Sequence, residues 1–320
     1  MAPVLGDDFD ASTEQYRHEL LAHCYRMLGS VHDAEDLLQE TMLRAWRAAD
    51  RYDAERASVR TWLYRIATNA CLTTLETRRR RPLPAGLVGP SDDPSAPLVA
   101  DNEVNWLEPF PDRMAADPAD VVAARESLRL AFVAALQLLP ARQRAVLVLR
   151  EVLEWPAAEV ADCLEVSVAS VNSALQRARA TLRAQPQAEA TIVEVNDSDQ
   201  RSVLDKYVDA FERADLAALT ALLSADVVLE MPPVPNWYLG ADHYHRFMAR
   251  VYGMRGREWR ALPISANGQP ALAAYARADG EYHAHTLQVF TVRGGLVTHN
   301  VVFADPTLFA TFGLPASLPA

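Results

Sequence analysis

Lysine is almost missing from this chain. Lys206 is the one lysine among 320 residues, so arginine supplies nearly all of the 31 basic side chains, against 42 acidic residues and a net charge of -11. An acidic total disfavours nucleic-acid binding by the chain as a whole, but it does not describe local charge. Arginine suits bidentate contacts with phosphates and bases, whereas a GC-rich genome produces the same bias. Both interpretations stay open.

Cysteine and long apolar runs are also scarce. Cys24, Cys71 and Cys163 are isolated within apolar helical patterns, which excludes a CxxC motif or a disulfide framework and predicts buried thiols in a reducing compartment. No apolar run approaches the ~18 residues of a membrane-spanning helix. The first residues lack the basic start and apolar segment of a secretion signal. We therefore expect a cytoplasmic protein without membrane contact.

Prolines and a change of hydrophobic period divide the chain. The first predicted domain is residues 1–81, in which helical periodicity begins at about Thr13. Helical periodicity returns in a second predicted domain, residues 121–184. The acidic stretch 82–120 between them contains eight prolines, which exclude a continuous helix and predict a linker. After a second linker at 185–198 the period changes from 3.6 to 2, which marks an α+β domain at 199–320. We predict a multidomain protein with two all-α domains and one α+β domain.

The first helical domain contains an amphipathic helix over His32–Arg47. Its apolar stripe predicts one buried face, and Asp33 is its predicted N-cap. The outer face presents Asp36, Gln39, Glu40 and Leu43. A solvated face is one interpretation, but an apolar Leu43 within that polar row is typical of a protein contact.

The next helix, Ser58–Thr77, combines arginines with aromatic and amide side chains. We predict that Trp62 and Leu63 are buried, and that the other side is exposed through Arg60, Thr61, Tyr64, Arg65, Thr68 and Asn69. The helix continues into the arginine run 78–81. Guanidinium groups neutralise phosphates and rings stack on unpaired bases, which favours single-stranded DNA. The alternative is that the arginine run only complements the helix dipole.

These two helices resemble a known family. DAEDLLQETMLRAW (33–46), TWLYRIATNACL (61–72) and the arginine run are similar to the second conserved region of bacterial RNA polymerase sigma factors, within the extracytoplasmic-function group. The resemblance implies that Asp36, Gln39, Glu40 and Leu43 bind the β′ subunit of core RNA polymerase. It implies that the melted minus-ten strand binds Arg51, Tyr52, Asp53, Arg60, Thr61, Arg65, Asn69, Arg78, Arg79 and Arg80. Asn69 and the Arg51–Asp53 loop would hold an extruded base.

The second helical domain has the pattern of a helix-turn-helix. Pro140 starts a helix from Ala141, Pro156 is the predicted first residue of a short helix, and Ser167 is the N-cap of the next. Its predicted buried stripe is Val168, Val171, Leu175, Ala178 and Leu182. The domain resembles the fourth sigma region, which implies minus-35 binding through Ser167, Ser170, Asn172, Ser173, Gln176, Arg177 and Arg179. Asn172 and Ala174 replace basic residues common in the family, so promoter specificity does not carry over.

The linker contains an apolar cluster within an acidic segment. Trp106, Leu107 and Phe110 in NWLEPFP (105–111) should not remain in water, so we predict that they dock on another domain. The segment is similar to a WLPEP-like motif of sigma factors with C-terminal extensions. In sigma factors the acidic linker threads the RNA channel; the alternative is a solubilising tether.

The C-terminal domain begins with a helical stretch and ends in a hairpin around Gly294-Gly295. With a regular hairpin, Gln288 and His299 share an otherwise apolar face and predict a pocket. DVVLEMPP (226–233), NGQPALAAY (267–275) and the hairpin resemble the SnoaL-like, nuclear-transport-factor-like cone. Such cones are enzymes or regulatory modules.

The resemblance implies an alternative sigma factor with a regulatory cone, with no catalytic residues, metal or cofactor. Its expected partners are core RNA polymerase (β and β′), promoter DNA and a small molecule in the cone. One alternative is a cone-fold isomerase or cyclase fused to a DNA-binding regulator. An acid/base pair would then come from Asp226, Glu230, His245, His283, His285 or His299. A plain helix-turn-helix repressor would not need the α-helical faces around Asp36 and Asn69.

Overall fold

The protein, seen in a computed structural model, forms two compact units. The structure describes residues 9–115, 126–184 and 197–320. The N-terminal unit combines residues 1–81 with 113–192, and the C-terminal unit combines residues 82–112 with 193–320. The chain therefore passes from the first unit to the second and back before it enters the second again.

The first part of the N-terminal unit is a bundle of helices. They are α1 (Phe9–Glu14), α2 (Arg17–Leu28), α3 (Val31–Ala48) and α4 (Val59–Thr77). The predicted N-cap of α3 was wrong: Ser30 is the cap, and its hydroxyl accepts a hydrogen bond from Asp33 N at 3.1 Å. Tyr64 and Thr68 are buried, not exposed, because a second surface of α4 is also covered.

The second part of the N-terminal unit contains the predicted helix-turn-helix. Its helices are α5 (Leu130–Leu136), α6 (Ala141–Leu147) with a π-helical turn at Val148–Val152, α7 (Ala157–Leu164) and α8 (Val168–Arg183). Pro156 was predicted to be the first residue of α7, but it is the N-cap, and the helix begins one residue later at Ala157. The predicted helical residues 121–125 lie outside the described residues. Val168 is 43% exposed, so the buried stripe of α8 begins at Val171.

A buried arginine joins these two parts. Arg144 of α6 is 3% exposed, and its guanidinium donates to the carbonyl oxygen of Met27 at the end of α2. It also donates to Gln137 Oε1 at 2.7 Å, while Gln137 Nε2 donates to the carbonyl of Arg26 at 3.4 Å. The last carbonyls of α2, which have no partner within the helix, are thereby satisfied from the second part.

The C-terminal unit is a curved sheet covered by helices. Its helices are α9 (Asp197–Glu212), α10 (Leu216–Ala221), α11 (Ala241–Arg255) and α12 (Leu308–Thr311). Its strands are β1 (Leu223–Met231), β2 (Val234–Leu239), β3 (Trp259–Ala266), β4 (Gln269–Ala278), β5 (Glu281–Arg293), β6 (Leu296–Phe303) and β7 (Ser317–Leu318). The strand order is β2-β1-β6-β5-β4-β3, with β7 beside β5. Among these described strands the β1–β6 pair is parallel and the other pairs are antiparallel.

The β5–β6 hairpin departs from the predicted register. Val292 faces Val297 across the Gly-Gly turn, but Thr291 then faces His299, so β6 bulges at Thr298. One extra residue moves the rest of a strand to the opposite face. Phe290 therefore pairs with Asn300, not with His299.

The predicted linker is not a free tether over residues 82–112. This segment, which we call the strap, belongs to the C-terminal unit. Trp106, Leu107 and Phe110 are 9%, 1% and 0% exposed. The backbone N–H of Phe110 donates to Asn267 Oδ1 at 2.9 Å, and Asn267 N donates back to the Phe110 carbonyl at 2.8 Å. The three side chains are therefore removed from water, as the docking prediction requires.

Candidate functional site

The outer face of α3 presents two large apolar side chains to solvent. Leu43 is 45% exposed and Trp46, one turn later, is 60% exposed. Asp36, Gln39 and Glu40 are exposed beside them. Exposed apolar groups rimmed by polar ones are typical of a partner interface. The sequence prediction missed Trp46, although its spacing of three residues from Leu43 placed it near this face.

A groove of about 1150 Å³ lies in the N-terminal unit, between the start of α4 and the helix-turn-helix. Of the residues predicted for the minus-ten strand, it brings together Arg51, Tyr52, Asp53, Thr61 and Arg65; Ser167 from the predicted minus-35 set also lines it. Tyr52 packs on Trp62 with ring centroids 5.1 Å apart, and its hydroxyl donates to the Ala57 carbonyl at 2.9 Å. Aromatic and arginine walls suit an unpaired nucleotide.

Carboxylates of the second helical part occupy this groove. Thr61 Oγ1 donates to Glu159 Oε1 at 2.9 Å, and Arg65 pairs with Glu165 at 3.0 Å. These oxygens engage the groups that a DNA backbone would need. Neither glutamate was among the predicted site residues, because a contact across about 100 positions of sequence leaves no local signal.

The remaining predicted minus-ten residues lie outside the groove. Arg60 pairs with Glu19 at 2.7 Å and lies over the Tyr64 ring, 5.0 Å from its centroid. Asn69, Arg79 and Arg80 are exposed. The structure does not place Asn69 with the Arg51–Asp53 loop in one pocket.

Arg78 and Arg81 hold the arginine run against the start of α3. Both pair with Asp33, Arg81 at 2.6 Å. Burial raises the pKa of Asp33, but the hydrogen bonds and charges of the two arginines together outweigh burial, and its pKa falls below the ordinary value. Asp33 therefore stays ionised and positions these arginines, a role that differs from the predicted cap.

The outer face of α8, together with its N-cap Ser167, carries the residues predicted for minus-35 binding. Ser167, Ser170, Asn172, Ser173, Gln176, Arg177 and Arg179 are exposed. The N-cap prediction is confirmed: Ser167 Oγ accepts from Ser170 N at 3.2 Å. Arg179 Nε donates to Glu151 at 2.8 Å. The helix therefore presents a polar, basic face opposite its buried stripe.

The cone contains an apolar cavity of about 240 Å³. Gln288 lines it as predicted, but His299 does not, because the bulge in β6 turns Asn300 to that face instead. His299 Nε2 lies 2.8 Å from Glu230 Oε1, and the other oxygen of that buried carboxylate accepts from Ala85 N of the strap at 2.6 Å. Glu230 thus anchors the strap.

The candidate acid/base residues do not assemble in the cavity. Of Asp226, Glu230, His245, His283, His285 and His299, only His285 is among the described lining residues. Burial, followed by the charge of Arg255, lowers the pKa of His285 to about 4. In the described part of the chain, no group of three or more His, Cys, Asp or Glu side chains is arranged to hold a metal ion.

Comparison with known proteins decides the family. The chain matches the models for Sigma-70 region 2 over residues 13–81, Sigma-70, region 4 over residues 129–182, and the SnoaL-like domain over residues 204–300. It is 51% identical over 315 residues to the ECF RNA polymerase sigma factor SigG of Mycobacterium tuberculosis, covering 97% of this chain and 85% of SigG. The chain belongs to the ECF sigma factors.

Other relatives of this sigma factor agree. It is 30% identical over 312 residues to SigJ of Mycobacterium tuberculosis, covering 92% of this chain and 91% of SigJ. The crystal structure of a SigJ from that organism matches with a TM-score of 0.61 at 26% identity, over 97% of this chain and 99% of that one. The predicted family, fold class and alternative sigma factor function are confirmed. No helix among the described residues is long and apolar enough to cross a membrane.

Proposed function

We propose that the outer face of α3 is the surface through which this sigma factor binds the β′ subunit of core RNA polymerase. The observation that carries the proposal is the exposure of Leu43 and Trp46, 45% and 60%, on a helix whose opposite face is sealed. Asp36 and Glu40 add negative charge and Gln39 adds a polar amide, which favours a basic partner groove. The family resemblance also implies contact with the β subunit of core RNA polymerase.

The groove of the N-terminal unit receives the melted minus-ten strand, and the outer face of α8 reads the minus-35 duplex. Support comes from the arginine and aromatic walls of the groove and from the exposed residues of α8. Because Glu159 and Glu165 engage Thr61 and Arg65, these carboxylates must leave before DNA enters. The surrounding Arg60, Asn69, Arg78, Arg79 and Arg80 then bind the flanking backbone.

The cone regulates the sigma factor in the cytoplasm and performs no catalysis of its own. Among the described lining residues of its cavity there is no carboxylate that could pair with His285 for acid/base chemistry. The strap is continuous at residue 81 and at residue 113 with the N-terminal unit. A change at the strap therefore reaches both DNA-binding parts along the chain.

The test of the polymerase surface is a pull-down of purified core RNA polymerase with the full chain. Asp36→Arg should reduce recovery of core polymerase by at least ten-fold, since each like-charge juxtaposition costs several kcal/mol in an interface. Asp205→Arg, the same charge change at an exposed position of α9, is the control and should bind normally. Equal recovery with Asp36→Arg and wild type would remove α3 from the interface.

A further inference from the structure

The cone cavity has one polar end, built by four side chains. Tyr207 and Tyr244 share a hydrogen bond between their hydroxyls at 2.5 Å. Asn300 Nδ2 donates to the Tyr244 hydroxyl at 2.7 Å and to Gln288 Oε1 at 3.1 Å. Tyr244, Gln288 and Asn300 line the cavity, whose other walls are mainly apolar.

Asn300 leaves one buried polar atom without a partner. The residue is 0% exposed, and its Oδ1 atom has no hydrogen-bond donor among the described residues. A buried acceptor without a donor destabilises the protein, because the hydrogen bonds it made with water are lost and not replaced. Since Asn300 borders the cavity, a molecule inside it that carries a donor would satisfy this atom.

The cavity interior is uncharged at neutral pH. Its ionisable lining residues in the described part of the chain are Tyr244, Arg255 and His285. Burial raises the pKa of Tyr244 to about 12, and burial lowers the pKa of His285 to about 4. Arg255 is exposed. Because a charge without a partner is costly in an apolar cavity, the interior selects against charged molecules.

The strap forms part of the cavity wall. Leu98 lines the cavity and packs against the core of the cone. The neighbouring strap carbonyls of Pro94 and Ala96 accept from Arg250 of α11 at 2.8 and 2.6 Å. A molecule in the cavity therefore contacts both the cone and the strap, and its binding stabilises the attachment of one to the other.

We propose that this cavity binds a neutral, mainly apolar small molecule that donates one hydrogen bond to Asn300 Oδ1 and thereby fixes the strap. An apolar cavity of about 150 Å³ holds benzene, so 240 Å³ suits a bicyclic molecule. The effect of such a molecule on transcription rests on the proposed regulation by the cone. Binding of the molecule is independent of that proposal, because it is measured without polymerase or DNA.

The test is isothermal titration calorimetry of the full chain with two probes of equal size, 2-naphthol and 2-fluoronaphthalene. Only the first donates a hydrogen bond, so we expect it to bind about three- to ten-fold more tightly to the wild type. Asn300→Leu should reduce this preference to less than two-fold. Equal affinities for the wild type, or no binding of either probe, would overturn the proposal.

A second variant tests the cavity independently, in case Asn300→Leu does not fold. Val302→Phe fills the cavity, which Val302 lines, and should weaken both probes by more than ten-fold. Val99→Phe makes the same change at a strap position that is 67% exposed, outside the cavity, and should bind as the wild type does. Undiminished binding to Val302→Phe would place the probes elsewhere.

Hydrogen exchange then reports on the strap. The amides of Ser91, Asp101 and Leu107 donate to carbonyls within the C-terminal unit. Saturating 2-naphthol should slow their exchange at least three-fold in the wild type and leave it unchanged in Val302→Phe. Unaltered exchange in the wild type at saturation would contradict the coupling between cavity and strap.

Discussion

His23 is a buried side chain whose pKa differs from its ordinary value. It is 0% exposed in α2, its Nε2 atom lies 2.9 Å from Thr68 Oγ1, and its Nδ1 atom has no partner among the described residues. Burial, followed by the nearby charge of Arg26, lowers the pKa of His23 to about 3 from its ordinary value of 6.5. The folded protein therefore keeps this ring neutral where the unfolded chain protonates it.

The lowered pKa predicts a loss of stability in mild acid. The contribution of the neutral His23 ring to the free energy of unfolding is fully present above pH 6.5. It is lost as the pH falls from 6.5 towards 3, because in that range only the unfolded chain takes up the proton. At pH 5 the loss is about 2 kcal/mol. Urea unfolding followed by circular dichroism gives the free energy of unfolding at pH 7 and at pH 5. The decrease between the two pH values should be smaller in His23→Gln than in the wild type, by about this amount.

His283→Gln is the matched control, because His283 is exposed. This variant should retain the full difference between pH 7 and pH 5. If His23→Gln lost as much stability on acidification as the wild type, the buried neutral ring would not be its cause.

Individual site residues differed in how far sequence alone could identify them. Leu43 was recognisable because an apolar residue interrupts a polar helical row. Asp33 was misassigned, because Ser30 competes for the cap and the partners Arg78 and Arg81 lie 45 or more positions away. Asn300 was missed because its orientation depends on the bulge at Thr298, which no local pattern marked.

At the scale of elements, α4 is joined to α7 and to the residue after it by two polar contacts, Thr61 with Glu159 and Arg65 with Glu165. The Arg65–Glu165 pair is exposed, with side chains 48% and 75% accessible. Exposed pairs contribute only about 0.2–1 kcal/mol each. If the groove receives DNA as proposed, phosphates would displace these carboxylates at a modest cost.

Removing the carboxylates should consequently strengthen DNA binding. Glu159→Gln with Glu165→Gln should raise the affinity for a labelled random single-stranded 12-mer about two- to five-fold at fixed salt, as measured by fluorescence anisotropy. A control with the same charge change, Glu76→Gln with Glu154→Gln, alters exposed residues outside the groove. Affinity that rises equally in both double variants would reflect net charge alone.

The predicted secondary structure was most reliable where capping and period agreed. The α8 helix begins after Ser167 as predicted, and β5 and β6 flank the predicted Gly-Gly turn. The strap was interpreted as a linker because prolines and acidic residues lack a helical or strand period. Its order comes from hydrogen bonds to distant residues such as Asn267 and Glu230, and such contacts cannot be read from composition.

At the scale of the whole molecule, the chain passes more than once between the two units. Residues 82–112 leave the N-terminal unit, join the cone and return before the helix-turn-helix begins. The entropic cost of closing such a long segment grows only slowly with its length, and the hydrogen bonds of the strap to Asn267 and Glu230 oppose that cost. The family and the fold class were predictable from the sequence motifs, the polymerase and DNA surfaces stay predictions, and the attachment of the strap required the structure.

The most direct test of this account is in vitro transcription of a genomic fragment library, with start sites mapped by sequencing. Core RNA polymerase with the full chain should produce start sites absent with core polymerase alone, preceded by shared minus-ten and minus-35 sequences. Asp36→Arg should abolish these starts, and Arg177→Ala with Arg179→Ala should reduce them at least ten-fold, since each phosphate contact contributes about one unit of salt slope. Start sites that do not depend on the chain, or that persist in Asp36→Arg, would contradict the account.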